Sequence, residues 1–554
     1  MNYLDYVIVA IYILVFLGIG YLFKNNKDSK DYFLGGNSLG WFPLSLSTMA
    51  TQLSAISFIS APAFVGLKMN GGMKWLTFEL AVPIAMVGIM LLIIPPIFRS
   101  GVVSIYEFVE KKYDYTTRLI LSVVFQISRA LGTGVMVYTI AFILQAVLNI
   151  DFIYTILIIS IITIVYSWQG GMKAVVWGDA IQMIILFLGL IICLIFGWQQ
   201  LQANGGLVNG FDPERLKVLD FNWGLGKGEE YGVVPMIVGG LFLYMSYYGC
   251  DQTQAQRLLS AKNENTIRKL LMANGLLRFG VVLIYCTMGL IIGSLALSSS
   301  EFMGMIKQIT QTNFPEEYAK SGVKPDLMMP VFILNYLPHG MIGVLMTGIL
   351  SATMSSLSST VNSLSAVTVE DFFNRGKNKL SNRRYMQISR LSVVFWGVVC
   401  IGAAFLFGGS DSPVIEIINA IGSVFYGPVL ATFVLAIFSK KVNRHGIKVG
   451  IIGAVLINLV FSKTMQDIIG FDLGIHVFWI WLNFTGFVLA VSLAYVVSWL
   501  KPDELAKPVE DQPKVVIEFK WSSFKAKEPL ILIGFFVLIL VVSYFIPDIF
   551  RQLF

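Results

Sequence analysis

On a helix, Ser355 has Ser358 and Ser359 as its neighbours three and four residues on, all on one face. Ser356 opens the adjacent face, and the carbonyl of Ala352 lies one turn earlier beside Ser355 and Ser356. Neutral oxygens clustered at one depth are what a hard cation such as Na⁺ needs to replace its water. They supply those oxygens without the full cost of a buried charge. One helix offers too few ligands. A second apolar run, LSTMATQLSAISFISAPAFVG, is interrupted by hydroxyls, Gln52 and Pro62, and an unwound backbone there would free carbonyls near Ala50 and Leu53. Asp179, in VVWGDAIQ, could hold a second ion together with Ser355, Ser358 and Ser359. Two plainer readings stand beside these: the serines as a small-residue packing seam, and Asp179 as a cap near the end of its span.

Three other charges fall deep in apolar runs: Glu79, Arg129 and Arg278. Each costs about 2.5–3.5 kcal/mol to insert on the translocon scale, so each is a functional candidate by default. Arg129, mid-run in VFQISRALGTG, carries a planar fork suited to a carboxylate or phosphate. The alternative is that Glu79 pairs with one of the arginines and holds helices in register. Cys193, Cys250, Cys286 and Cys400 lie in or beside apolar runs with no metal spacing, and the three histidines are scattered. Neither a nucleophile–base arrangement nor a GxxxxGK[ST] loop is present, so neither enzymatic chemistry nor ATP as energy source is expected.

The elements that must position these residues are membrane spans. The chain has 554 residues, 56% hydrophobic and 13% charged, with a mean hydropathy of +0.74, too apolar for a soluble domain of this size. About fourteen runs are long enough to cross a bilayer: 3–23, 40–67, 75–98, 117–147, 152–169, 174–200, 231–257, 268–297, 326–365, 388–408, 413–438, 446–463, 474–499 and 529–549. The first is expected to be a retained helix and not a signal peptide. Basic residues alternate by loop, with Lys24, Lys27 and Lys30, then Arg99, Lys111, Lys112 and Arg118, then Lys262, Arg268 and Lys269, and so on. The net charge of +7 is therefore an orientation signal and not a nucleic-acid footprint. By the positive-inside rule both termini face out, in a multi-pass protein of a plasma or bacterial inner membrane.

The chain divides into a leading helix and loop (1–30), a five-span group (31–200), an outer loop (201–230), a second five-span group (231–438) and additional helices (439–554) with an inner polar loop at 500–528. The two groups run in opposite orientation. Each opens with an interrupted span, the second reading GGLFLYMSYYGCDQTQ. That pattern points to an inverted-repeat secondary transporter, because unwound backbone is tolerated in a bilayer only where it lines a site. A channel or membrane sensor is the competing class. The broken-helix pair argues against a pore, and no signalling domain is evident.

The sequence resembles the sodium:solute symporters, the group of the sodium/glucose, sialic acid, proline, iodide and multivitamin transporters, over roughly residues 3 to 465. The resemblance rests on DYFLGGNSLGWF at 31–42, the broken span at 47–66, YSWQGGMKAVVWGDAIQ at 166–182, DQTQAQRLLSAK at 251–262 and the hydroxyl helix. It implies an all-α protein with a five-plus-five inverted-repeat core of the LeuT type, and Na⁺-driven uptake by alternating access. It places the common Na⁺ site on the backbone of Ala50, Leu53 and Ala352 and the hydroxyls of Ser355 and Ser356. It places a second site, found in some members, on Asp179, Ser355, Ser358 and Ser359. For the substrate it implies Gln52, Ser54, Ser57, Glu79, Arg129, Tyr247, Arg278 and Asn419. Arg129 matches the carboxylate-binding arginine of the sialic acid members, Asn419 a glutamine of the sugar members, and Tyr247 an aromatic inner gate. The expected substrate is a sugar or sugar acid such as a sialic acid or uronate. Another organic anion or vitamin-like carboxylate, or an H⁺-coupled sugar, is the alternative. The expected partners are Na⁺, the solute and the lipid bilayer, with no obligatory protein partner evident.

Overall fold

The computed structural model describes residues 1–25, 28–53, 55–148, 150–206, 212–225, 230–374, 380–405, 414–502 and 526–553. The regular structure among these residues is helical, apart from two isolated bridges, Leu39 with Ala261 and Ser462 with Val477. The helices long enough to matter here are α1 (Tyr3–Leu22), α2 (Trp41–Gln52), α3 (Ala55–Gly66), α4 (Met73–Arg99), α5 (Tyr115–Leu148), α6 (Phe152–Ala203), α7 (Val233–Gly249), α8 (Gln252–Leu259) and α9 (Glu264–Ser298). They continue with α10 (Met341–Phe373), α11 (Asn382–Ala404), α12 (Val414–Phe438), α13 (Arg444–Phe461), α14 (Trp479–Leu500) and α15 (Lys527–Leu553).

Eleven of these are apolar and long enough to cross a bilayer singly, and the bent pairs α2/α3 and α7/α8 add two more crossings. Helix α6 is two crossings in one. Its 52 residues would be about 78 Å long if straight, against a hydrocarbon core of about 30 Å. It folds back at Gly171, where φ is +55° and ψ −150°. A Cβ there would sit 2.5 Å from the carbonyl oxygen of Tyr32, so both the backbone geometry and the space require glycine. Among the described residues the crossings then number fourteen, as in the hydropathy pattern.

Two boundaries differ from the sequence expectation. The run 326–365 is not one span: Met328–Tyr336 is a short helix of its own, and α10 begins only at Met341 after Leu337, Pro338, His339 and Gly340. The backbone N–H groups of Gly340 and Gly343 at this start donate to Asp5 of α1, at 2.7 and 2.9 Å, so a buried carboxylate from another helix caps it. The loop expected at 298–325 contains helices Ser300–Asn313 and Pro315–Ser321. Most of the 500–528 loop lies outside the described residues.

The two broken spans bend by nearly the same angle, 53° for α2/α3 and 54° for α7/α8. That is the symmetry expected of corresponding helices in two inverted repeats. They also touch. Leu39, just before α2, bridges Ala261, just after α8, and the Asn37 amide donates to the Leu259 carbonyl at 2.6 Å. Helix α3 packs directly on α9 through Gly66, Gly289 and Gly293. A Cβ on Gly293 would lie 2.4 Å from Gly66 Cα, so the helices meet backbone to backbone, as small-xxx-small seams in bilayers do.

Helix α10 tolerates its hydroxyls because many bond back to their own helix. Thr353 donates to Ile349 O, Ser363 to Ser359 O and Thr368 to Leu364 O, at 2.8–3.0 Å. A hydroxyl that satisfies itself this way costs little in an apolar interior. The seam reading of these serines thus holds for part of the run. It does not hold for Ser355 and Ser359, whose hydroxyls leave the helix.

Candidate functional site

Ser355, Ser358 and Ser359 are almost fully buried on one face of α10, against α2, α6 and α8. Ser355 donates to Asp179 Oδ1 at 2.6 Å, and Ser358 donates to the Ser355 carbonyl at 2.9 Å. Ser359 lies 3.3 Å from Asp179 Oδ2 and 3.3 Å from the Thr51 hydroxyl of α2. Asp179, on the second half of α6, also accepts from Ser47 of α2 at 2.6 Å. Its remaining partner is Arg257 of α8, whose Nη2 donates to Oδ2 at 2.7 Å. The guanidinium is spread over its surroundings. Its Nε donates to Ser47 Oγ at 2.7 Å, Nη2 also meets Ser359 Oγ, and Nη1 meets the Thr253 carbonyl. Four elements of the fold, α2, α6, α8 and α10, therefore converge on one buried ion pair.

Ser356 points elsewhere. It lines a cavity of 140 Å³ at the bend between α2 and α3, together with Thr51, Gln52 and Leu53. At that bend Leu53 leaves the helix with φ −86° and ψ 67°, so the terminal carbonyls of α2 lack their usual partners one turn on. Ser356 donates to the Ala352 carbonyl at 3.3 Å, which sets that carbonyl and hydroxyl side by side. Of the five residues expected to hold the first Na⁺, Leu53 and Ser356 thus line one space. Ser355 keeps its lone pairs free, because its proton is committed to Asp179. Ala50 is buried in the last turns of α2.

Most of the expected substrate residues line the same cavity: Gln52, Ser57, Glu79, Arg129, Tyr247, Arg278 and Asn419. Ser54 lies outside the described residues. Glu79 of α4 and Arg278 of α9 form a two-pronged pair, Nε to Oε2 at 2.5 Å and Nη2 to Oε1 at 3.0 Å, with the Tyr244 hydroxyl donating to Oε1 at 3.1 Å. The pairing of Glu79 with an arginine, weighed from the sequence, is what the structure has. Arg129 is paired as well, on the other side. Its Nε donates to Asp251 Oδ2 at 2.6 Å and its Nη2 to the Tyr426 hydroxyl at 3.0 Å, while the guanidinium lies over the Tyr247 ring at 4.8 Å. Asp251 caps α8 by accepting from Thr253 N–H at 2.9 Å, so this pair fixes the second helix break. Asn419 spends its amide on the Ile415 carbonyl at 2.7 Å and keeps its oxygen. Four lining residues retain a buried polar atom without a hydrogen-bond partner: Gln52 Oε1, Thr253 Oγ1, Arg278 Nη1 and the Tyr285 hydroxyl. Buried orphans are rare in folded proteins, and four around one cavity suit it to a polar ligand.

Comparison with known proteins agrees with this geometry. The profile of the Sodium:solute symporter family matches residues 32–453. The chain belongs to that family. The symporter is 31% identical over 464 residues to sodium-coupled monocarboxylate transporter 2 of Danio rerio, covering 81% of this chain and 70% of that one. It is 28% identical over 457 residues to the human sodium/iodide cotransporter, covering 81% and 68%. Its fold matches a solved Na⁺-coupled sialic acid symporter with a TM-score of 0.72 at 22% identity, over 90% of this chain and 98% of that one. The symporter is thus an integral multi-pass membrane protein built on the five-plus-five core.

Several residues of the site were not singled out from the sequence, among them Arg257, Asp251 and Tyr426. The first two sit in DQTQAQRLLSAK, which was used only as a family marker. The signal was available for Arg257. An arginine in a short helix after a break in a membrane span needs a buried acid, and Asp179 was an acid without an assigned base. Tyr426 carries no such signal in a run of apolar residues.

Proposed function

We propose that this symporter couples inward Na⁺ movement to uptake of a small organic monoanion, a short-chain carboxylate. The observation that carries this is the cavity at the α2/α3 bend, which is small, borders the expected Na⁺ oxygens and is charge-balanced by its own residues. An engineered cavity of about 150 Å³ holds benzene, so 140 Å³ suits a solute of about six heavy atoms. A hexose has about twice that number and a sialic acid more than three times, so in this conformation the space favours the smaller acid over the sugar and sugar-acid readings. Around the cavity Glu79 offsets Arg278 and Asp251 offsets Arg129. One Na⁺ at Leu53 and Ser356 would leave a buried positive charge, and a carboxylate beside it would cancel that charge.

In this reading Na⁺ is held by the carbonyls of Ala50, Leu53 and Ala352 and the hydroxyls of Ser355 and Ser356. The carboxylate lies against Gln52, Ser57 and Arg278, whose Nη1 has no other partner. Arg129, Tyr247 and Tyr426 form the floor toward the cytoplasm and not the carboxylate clamp, because the Arg129 fork is already spent on Asp251 and Tyr426. A monocarboxylate is also the solute class named for one relative. The test is competition in proteoliposomes against a labelled three-carbon monocarboxylate, using longer carboxylates, hexoses, uronates and sialic acid. Inhibition confined to acids of about six heavy atoms or fewer is expected. Equal competition by neutral hexoses would overturn the anion, and sialic acid as the best competitor would overturn the size argument.

A further inference from the structure

The Asp179 cluster has the residues expected for a second Na⁺, but their oxygens and its charge are already committed. A carboxylate offers about four acceptor positions. Asp179 uses four, on Ser355, Ser47, Ser359 and Arg257. Ser358 has turned its proton to the Ser355 carbonyl, and Ser359 accepts from the Arg257 guanidinium. Asp179 and Arg257 are fully buried and cancel each other. A Na⁺ added here would be an unbalanced charge in a dry interior. A Na⁺ that displaced Arg257 would strand a guanidinium whose hydrogen bonds end on Ser47, Thr253, Asp179 and Ser359.

We propose that the Arg257 guanidinium is a tethered cation in place of a second Na⁺, so that this symporter binds one Na⁺ per chain. Asp179 then acts as a positioning residue for the remaining ion. It takes the Ser355 proton and turns that hydroxyl's lone pairs toward the α2 bend. The inference rests on the Na⁺-coupled reading above and adds the ion count. It also has a transport consequence, since one Na⁺ with one monoanion carries no net charge.

The test needs no organic solute. Radiolabelled Na⁺ is titrated onto the purified full-length protein in lipid nanodiscs, and bound ions per chain are counted at saturation. One ion per chain with a Hill coefficient of one is expected. Ser356→Ala should raise the Na⁺ dissociation constant at least tenfold. Arg257→Ala vacates the guanidinium and leaves Asp179 with the hydroxyls of Ser47, Ser355 and Ser359, so a second bound Na⁺ should appear. Because that variant may not fold, the neutral pair Asp179→Asn/Arg257→Gln is measured beside it and should still bind a single ion. Two ions on the wild type would overturn the inference while leaving Na⁺ coupling intact. So would loss of one of two ions in the neutral pair. No bound ion at all would instead overturn the Na⁺-coupled reading itself.

Discussion

Ser356→Ala separates ion binding from folding better than any other substitution in the site. The Ser356 hydroxyl makes one protein hydrogen bond, a long one of 3.3 Å back to Ala352 of its own helix. Alanine is the best helix former, and the side chain borders an existing cavity, so the change should cost less than about 1 kcal/mol of stability. As an oxygen ligand to a cation the hydroxyl is worth more. Hydrogen bonds to charged groups contribute about 1.5–3 kcal/mol, and one ligand oxygen on Na⁺ is taken to be of similar size. At about 1.4 kcal/mol per factor of ten, the Na⁺ concentration for half-maximal uptake should rise roughly 10- to 150-fold. Ser355→Ala differs. It also removes a 2.6 Å donor from the buried Asp179 carboxylate, so it should lower thermal stability as well as Na⁺ affinity. The assay is a Na⁺ titration of initial uptake rate in proteoliposomes, with unfolding temperature measured on the same preparations. A wild-type Na⁺ curve in Ser356→Ala would show that the ion lies elsewhere. Equal loss of stability in both variants would show that the hydroxyl helix is only a packing seam.

Gly171→Ala should abolish or strongly reduce folded protein, seen in size-exclusion yield, since it combines positive φ with a 2.5 Å approach to the Tyr32 carbonyl. Arg118→Ala should destabilise by about 3–5 kcal/mol in thermal unfolding, because it leaves the buried Asp371 without its 2.6 Å partner; a loss under 1 kcal/mol would mean water reaches that carboxylate. Arg129→Lys should slow transport more than it weakens solute affinity, since an ammonium cannot hold Asp251 and Tyr426 at once and stack on Tyr247; a selective rise in KM for the anion would restore Arg129 as the substrate clamp. With one Na⁺ per monoanion, imposing 100 mV with K⁺ and valinomycin should leave uptake unchanged, whereas one extra Na⁺ would gain about 2.3 kcal/mol from it.

Much of the fold was legible because bilayer crossing leaves a strong trace. Apolar run length located the spans, and hydroxyls and glycines within two runs located the breaks before Ser54 and at Cys250–Asp251. Where the trace failed, tertiary contacts decided. In PVFILNYLPHGMIGVL, Pro338 and Gly340 mark a break before Met341, but the cap that starts α10 is Asp5, more than three hundred residues away. The fold-back at Gly171 was visible as a gap between two runs, but not as a continuous helix bent at one residue. In the site, the sequence named the charged residues and left their partners open. Glu79 could have met either arginine, and it meets Arg278 because α4 and α9 pack together. Arg129 looked free for a substrate because nothing in the spacing pairs it with Asp251, an acid inside the interrupted run GGLFLYMSYYGCDQTQ. Cavity size depends on how the bent helices close on one another, and no spacing rule encodes it.

The central claim is Na⁺-driven accumulation of a small carboxylate. Proteoliposomes containing the purified protein are given a tenfold inward Na⁺ gradient and a labelled three-carbon monocarboxylate, and its internal concentration is followed to steady state. One Na⁺ per monoanion predicts transient accumulation approaching about tenfold, collapsing when the gradient is dissipated and absent when Na⁺ is replaced by K⁺. Entry that merely equilibrates, at the same rate in Na⁺ and in K⁺, would contradict the account.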